Sequence, residues 1–324
     1  MVIQSNKKLY YKFLSIVVKN IATFNRFLYQ FQLLILYSRF CTLYRVETMV
    51  VNNELAFNTL KKKIWDRTGV DCSSYKDNYL KRRIDVRMKS KGFGTSYDDY
   101  TKFLEKNPDE YKALLNDITI NVTEFFRDSE TFNAFRNEVL PQVLSDKRNR
   151  KSKILRIWSA GCSIGEEPYT IGIILHEKLG LELNDYLVSI HATDIDENAL
   201  KAARAGVYDA QALKNINKYQ IPKYFDSDGN GKYHIKDKVK HLVRFNQHDL
   251  ISGKKFSHFD IIFCRNVMIY FEKDFQSRLL LTFYNALNVG GYLILGRTET
   301  MPGAVRDQFL CVNTRERIYK KQMM

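Results

Sequence analysis

Residues 259–271 read Phe-Asp-Ile-Ile-Phe-Cys-Arg-Asn-Val-Met-Ile-Tyr-Phe. An apolar, strand-like run breaks abruptly into the polar pair Arg265-Asn266 and then offers Tyr270 to the same place. In an open α/β sheet, ligands sit outside the carboxyl ends of strands, so this break marks a candidate site. An earlier block, Trp158-Ser-Ala-Gly161-Cys-Ser-Ile-Gly165-Glu166-Glu167-Pro168, has the same strand, turn and helix form. One block alone is weak; two of them make a ligand-binding enzyme the leading expectation.

Strands and helices alternate on either side of these blocks. Short apolar runs predict strands at Ile154–Trp158, Leu187–Thr193 and His258–Cys264, with helices from Pro168 to Leu179, through Ala205, and from Lys273 to Leu287. Asn288-Val-Gly290-Gly291 reads as a turn before strand Tyr292–Gly296, and short strands near Phe309–Val312 and Glu316–Lys320 close the sheet. Residues 206–245 break the rhythm. The turn-rich Asp226-Ser-Asp-Gly229-Asn-Gly231 is accompanied by the short strand-like runs Lys232–Ile235 and Val239–Phe245, which predicts a small antiparallel insertion.

Upstream, residues 49–118 read as a small all-α domain. Leu80, Ile84 and Met88 fall on one helical face, while Lys81, Arg82, Arg83, Arg87 and Lys89 wrap much of the rest. Asn107-Pro108-Asp109-Glu110 has the form of a helix start: cap residue, Pro, and Glu three positions on. Residues 119–128 form a linker, and 129–324 the α/β domain. Residues 1–48 are basic and aromatic, with seven Lys/Arg against Glu47; they read as a leader, as sequence upstream of a start at Met49, or as a membrane-surface helix.

The chain of 324 residues carries a net charge of +15, of which +6 lies in residues 1–48. Such a balance favours an acidic partner, whether nucleic acid, membrane surface or protein. Five scattered cysteines without a CxxC pair read as reduced thiols of a cytoplasmic protein, and neither they nor the six histidines have metal-site spacing, so no metal is expected.

The site residues narrow the ligand. Gly161 and Gly165 allow close backbone approach, as a nucleotide-binding turn or any tight turn requires. Glu166 and Glu167 stand where a dinucleotide fold would hold pyrophosphate. Two carboxylates repel phosphate and suit an ammonium or sulfonium, both of which S-adenosylmethionine carries; acids also suit a helix N-terminus through its dipole. Asp194, after the second strand, can accept from two ribose hydroxyls, and His248-Asp249-Leu250 can meet an adenine edge and face. In Asn121-Val-Thr123-Glu-Phe-Phe126-Arg127-Asp128, Phe125 and Phe126 read as anchors of the linker, and Arg127 as a guanidinium suited to carboxylate.

The blocks at 121–128, 157–171, 192–196 and 259–271 resemble the chemotaxis receptor methyltransferase family, CheR, in the family's order, and the likeness runs from about Met49 to Lys320. The resemblance implies a helical domain joined to a Rossmann-like catalytic domain with an inserted antiparallel β-subdomain. It implies methyl transfer from S-adenosylmethionine to receptor glutamates, leaving S-adenosylhomocysteine. It places cofactor contacts on Asn121, Thr123, Arg127, Gly161, Glu166, Asp194, Asp249, Leu250, Arg265 and Asn266, and puts Arg127 and Tyr270 nearest the transferred methyl. Asp249 stands where members often have Asn, and Gly296-Arg297-Thr298-Glu299 replaces the more frequent Gly-His-Ser-Glu. The basic helix, through Arg82, Arg83 and Arg87, becomes the expected dock for cytoplasmic receptor helices, which also implies work near a membrane. A monomer is expected. A nucleic-acid methyltransferase is the enzymatic rival; the absence of an Asn/Asp-Pro-Pro-aromatic motif argues against nucleic acid. A silent scaffold is the rival outside enzymes.

Overall fold

The computed structural model describes residues 26–119 and 121–322, together with Lys12 and Ser15. Residues 1–11, 13, 14 and 16–25 of the leader read at 1–48 therefore lie outside the described residues. The chain divides into two compact units, 1–59 and 60–324. Helix α1 spans Arg26–Thr68, so the backbone at Met49 is helical on both sides. Among the described residues no helix is long and apolar enough to cross a membrane.

Helices α2 (Asp77–Ser90), α3 (Tyr97–Lys106) and α4 (Pro108–Ile118) follow. The apolar stripe of α2 is as its spacing required, with Leu80, Ile84 and Met88 fully buried. The helix start at Pro108 holds, but the capping contact does not form. The Asn107 amide donates to Phe103 O at 2.8 Å, and Glu110 turns inward to Arg87 and Tyr100. The half-buried Arg87 guanidinium outbids a backbone amide for that carboxylate.

Helix α5 (Ser129–Ala134) runs through a π-helical turn, Phe135–Val139, into α6 (Leu140–Asn149). The α/β part continues with β1 (Ile154–Ala160), α7 (Glu166–Leu179), β2 (Leu187–Asp194), α8 (Glu197–Ala205), β3 (Val207–Asp209), α9 (Ile221–Tyr224), β4 (Phe225–Ser227), β5 (Lys232–Ile235), α10 (Asp237–Lys240) and β6 (Val243–Gln247). It ends with β7 (Phe259–Cys264), α11 (Lys273–Ala286), β8 (Leu287–Leu295), α12 (Gly303–Arg306), β9 (Phe309–Asn313) and β10 (Ile318–Lys321).

Seven strands form one sheet in the order β6-β2-β1-β7-β8-β10-β9. The first five run parallel, and β10 and β9 join antiparallel. All six residues of β7 are buried, as a parallel strand covered on both faces must be. The core holds Leu155 and Ile157 of β1, Ile171 and Ile174 of α7, Phe263 of β7, and Phe125 and Phe126. Because β1 leads to β2 on one side while β7 lies on its other side, the strand order reverses between β1 and β7. A crevice opens at the carboxyl end of such a switch point.

Two expectations need correction. Val239–Phe245 is not a flank of the insertion. Residues 237–240 make a helical turn, and β6 pairs parallel with β2, Val243 facing Ile190. The small sheet is instead β3-β5-β4, with β5 at its centre. The expected turn at Asn288–Gly291 lies within β8, as a bulge marked by Gly290 at φ 76° and a register shift against β7.

Candidate functional site

A cleft lies at the carboxyl ends of β1, β2, β6 and β7, and α2 and the segment before it supply Tyr79 and Tyr75. Its tightest point is the turn after β1. A Cβ on Gly161 would stand 2.4 Å from Val267 Cγ2, and φ is 79°, so only glycine fits there. The amides of Gly161 and Cys162 both donate to Thr193 O, at 2.8 and 2.9 Å, tying this turn to the end of β2. Asp194 then accepts from Ser163 N at 2.7 Å and Asp196 N at 3.0 Å. Burial pushes its carboxyl above the usual carboxylate range.

Residues 121–128 cross this opening as a strap. The Asn121 side chain bridges Asp196 (2.7 Å) and the Ser163 hydroxyl (3.0 Å). Phe125 packs edge-on against Tyr208 and Phe225, holding the strap down. Arg127 donates to Val122 O at 2.9 Å. Phe126 and Asp128 adopt left-handed φ values of 51° and 56°. Such conformations cost about 1–3 kcal/mol each and persist only where the surroundings enforce them. Arg265 does the enforcing. Its guanidinium donates to Arg127 O (2.7 Å) and Asp128 (2.8 Å), pairs with Glu167 (3.3 Å), and lies over the Phe132 ring.

The two glutamates of α7 have separate fates. Glu167 lines the cleft, with its carboxylate engaged by Ser159 at 2.8 Å and by Arg265. Glu166 is 1% exposed and stands behind the lining, where its Oε2 has no hydrogen-bond partner. Burial pushes its carboxyl up to about 7, against the Thr123 hydroxyl bond, which favours the ionised form. An unsatisfied buried acceptor of this kind suits an ammonium donor.

Opposite the strap, Tyr270 lines the cleft with its ring 4.6 Å from that of Tyr79. Burial raises its phenol above the ordinary value while Arg127 opposes the shift, so the hydroxyl stays protonated at neutral pH. Backbone bonds staple this loop to the helical region: Lys76 N to Tyr270 O and Glu272 N to Ser74 O, each 2.9 Å. The Lys76 ammonium adds a bond to Ile269 O at 2.8 Å.

Asn121, Thr123, Arg127, Gly161, Asp194, Asp249, Leu250, Arg265, Asn266 and Tyr270 thus line one cleft. Glu166 does not line it. Within the set, Asp249 uses its carboxylate to cap its own turn, through Ile251 N at 2.8 Å and the Ser252 hydroxyl at 2.6 Å. The three arginines of α2 also divide. Arg82 is exposed and acts on Tyr79 and Tyr270, as does Arg83, which also donates to Asp117 O. Arg87 is turned inward and corrects the docking set: it forms a bidentate pair with Glu110 at 2.7 and 2.8 Å and a further bond to Asp117 at 3.1 Å. Sequence reasoning missed Tyr75, Tyr79, Ser163 and Asp196. Tyr79 carried a faint signal, one position ahead of the buried stripe Leu80-Ile84-Met88.

The fold and the cleft define a class: an α/β protein whose cleft, at the switch point of a parallel sheet, is lined with carboxylates. Comparison with known proteins narrows that class. Residues 121–318 match the CheR methyltransferase SAM binding domain, and residues 55–119 the CheR methyltransferase all-alpha domain. A chemotaxis protein methyltransferase of Borreliella burgdorferi is 36% identical over 81% of this chain and 92% of its own length. Chemotaxis protein methyltransferase 2 of Vibrio cholerae is 32% identical over 78% of this chain and 88% of its own, and that of Escherichia coli K12 33% over 75% and 83%. The chain belongs to the CheR methyltransferase family and is an S-adenosylmethionine-dependent methyltransferase.

Proposed function

We propose that the chain methylates glutamate side chains of methyl-accepting chemotaxis receptors, forming methyl esters. The observation that carries this reading is the cleft's division of charge. One side presents the Asp194 carboxylate to a cationic nucleoside, with the unsatisfied Glu166 oxygen buried behind the lining; the other presents Arg127 and Tyr270 to an acceptor carboxylate.

When bound, S-adenosylmethionine supplies a methyl group on a positively charged sulfur. In this reading Asp194 serves the ribose hydroxyls, Leu250 the adenine face, and Glu166, from just behind the lining, the amino group. Asn121, Thr123, Gly161, Asp249 and Asn266 complete the proposed contacts. Arg265 enters the same set by clamping Arg127 and Asp128, since its guanidinium is already engaged. An acceptor glutamate is ionised at neutral pH, with an ordinary pKa of about 4.3, so the chain needs no general base. Arg127 and the protonated Tyr270 hydroxyl orient the carboxylate for in-line attack. Orientation of this kind contributes on the order of 7–11 kcal/mol. Arg127 also donates to Val122 O, which ties the guanidinium to the strap it belongs to.

In this reading residues 49–118 dock the receptor, 119–128 cover the site and 129–324 carry the transfer. Arg82 and Arg83 on α2 face the acidic receptor helix. The chain works as a cytoplasmic monomer, reaching membranes only through its receptors.

The test uses tritiated S-adenosylmethionine with a purified chemoreceptor cytoplasmic fragment or RNA as acceptor. Volatile methanol released from the receptor by base, with none from RNA, is the expected result. Base-stable label on RNA, or no label on the receptor, overturns the reading.

A further inference from the structure

Glu299 lies outside every residue set so far assigned to the site, yet it is 3% exposed and sits directly beneath the Tyr270 loop. After β8 the chain turns through Gly296-Arg297-Thr298, with Glu299 N donating back to Gly296 O at 2.9 Å. The turn swings the carboxylate across to the end of the neighbouring strand β7. Its Oε2 accepts from Gly296 N at 2.7 Å and Asn266 N at 3.0 Å, and its Oε1 accepts from Ile269 N at 3.3 Å. One buried carboxylate therefore cross-links the carboxyl ends of two parallel strands and gathers amides from a loop that has no regular ladder of its own.

The surroundings are built for this contact. Asn266 is held at φ 59°, a left-handed conformation that points its amide inward. A Cβ on Gly296 would stand 2.8 Å from Asn266 N and 2.9 Å from Glu299 Oε2, so the approach requires glycine. Burial raises the Glu299 carboxyl, and four backbone amides oppose the shift. From the other side the same loop is stapled to the helical region through Ser74 and Lys76. Tyr270 thus projects from a loop gripped on both faces, and Glu299 is the inner grip.

We propose that Glu299 is a positioning residue for methyl transfer, acting through the 266–270 loop to set where the Tyr270 hydroxyl stands against the acceptor carboxylate. The inference rests on the role given above to Tyr270. Glu299 itself touches neither cofactor nor acceptor. Its Oε2 pair supports Asn266, while its Oε1 bond supports the segment leading into Tyr270, so the two halves of the carboxylate serve binding and turnover separately.

A double-mutant cycle tests this. Glu299→Gln keeps the shape and lets the amide oxygen take the Oε2 position, losing the bond to Ile269 N. Expected are a kcat for a purified receptor fragment about tenfold lower and an S-adenosylhomocysteine affinity within about threefold of wild type. Combined with Tyr270→Phe, Glu299→Gln should slow the enzyme no further, because both act through one hydroxyl. Additive losses, or unchanged kcat in Glu299→Gln with Tyr270→Phe slow, overturn the inference while leaving the proposed function intact. Full activity in Tyr270→Phe removes the role of Tyr270 itself and the inference with it. If Glu299→Gln does not fold, Glu299→Asp, which keeps the charge and shortens its reach, runs the same cycle with the same readings.

Discussion

The cleft and helix α2 are two regions of one basic protein with opposite electrical characters. Helix α2 carries five Lys/Arg against two Asp, with Arg82 and Lys89 exposed. The cleft beside it presents Glu124, Glu167, Asp194 and Asp249, with Glu166 behind them, against Arg127 and Arg265. A net charge of +15 describes neither surface. It is the local sign, in a place where water is scarce, that selects a ligand. Surface charges steer partners over a Debye length of about 8–10 Å, whereas buried ones decide what may sit down.

The sharpest way to break this contrast is to neutralise the cleft. Asp194→Ala removes the acceptor of two backbone amides and of the proposed ribose contact, and charged hydrogen bonds are worth about 1.5–3 kcal/mol each. Calorimetry should show S-adenosylhomocysteine affinity falling by about a hundredfold; unchanged affinity would remove the acidic side of the comparison. Next comes the basic side. Reversing Arg82 and Arg83 to Glu should slow receptor methylation by about tenfold at low salt while leaving S-adenosylhomocysteine affinity intact. Arg87→Ala supplies the counterpart on the same helix. Because Arg87 holds Glu110 and Asp117, its loss should appear as a melting temperature lower by several degrees. Equal methylation rates in the charge-reversed double mutant would return α2 to an ordinary solvated face.

The smallest expected effect tests Glu166. Its carboxyl, pushed up to about 7 by burial, must lose a proton before it can pair with an ammonium. Affinity for S-adenosylhomocysteine should therefore rise by about threefold between about pH 6.5 and about pH 7.5, and Glu166→Gln should flatten the curve. In the free chain the sign is opposite. The native state keeps that proton longer than the unfolded one, so Glu166's contribution to stability is full below about 4.5 and is lost as pH rises through about 7. A wild-type affinity independent of pH would place the ammonium elsewhere.

What the sequence revealed follows from how far each contact reaches. Strands β1, β2 and β7 and helix α7 declare themselves in local periodicity, and the site loops fall at strand ends because open sheets work that way. The rest is set by distant partners. Strand β6 takes its parallel place through β2, which nothing within residues 239–247 announces. Arg87 looks like any other exposed arginine of α2 until Glu110, 23 residues on, claims it. Arg265 reads as a ligand-binding cation, yet Asp128, 137 residues away in sequence, engages it as a clamp. Glu166 and Glu167 are neighbours in sequence, but one helical step turns a side chain by about 100°, enough to send one to the cleft and the other behind it.

The backbone staple between Ser74–Lys76 and Tyr270–Glu272 crosses the point, near residue 120, where the two family domains divide. A border that is natural in sequence is therefore a weld in mechanics. On the proposed function, exchanging the helical half for that of another receptor system would shift the floor under Tyr270 along with the proposed docking face, so partner choice and turnover would be inherited as a pair.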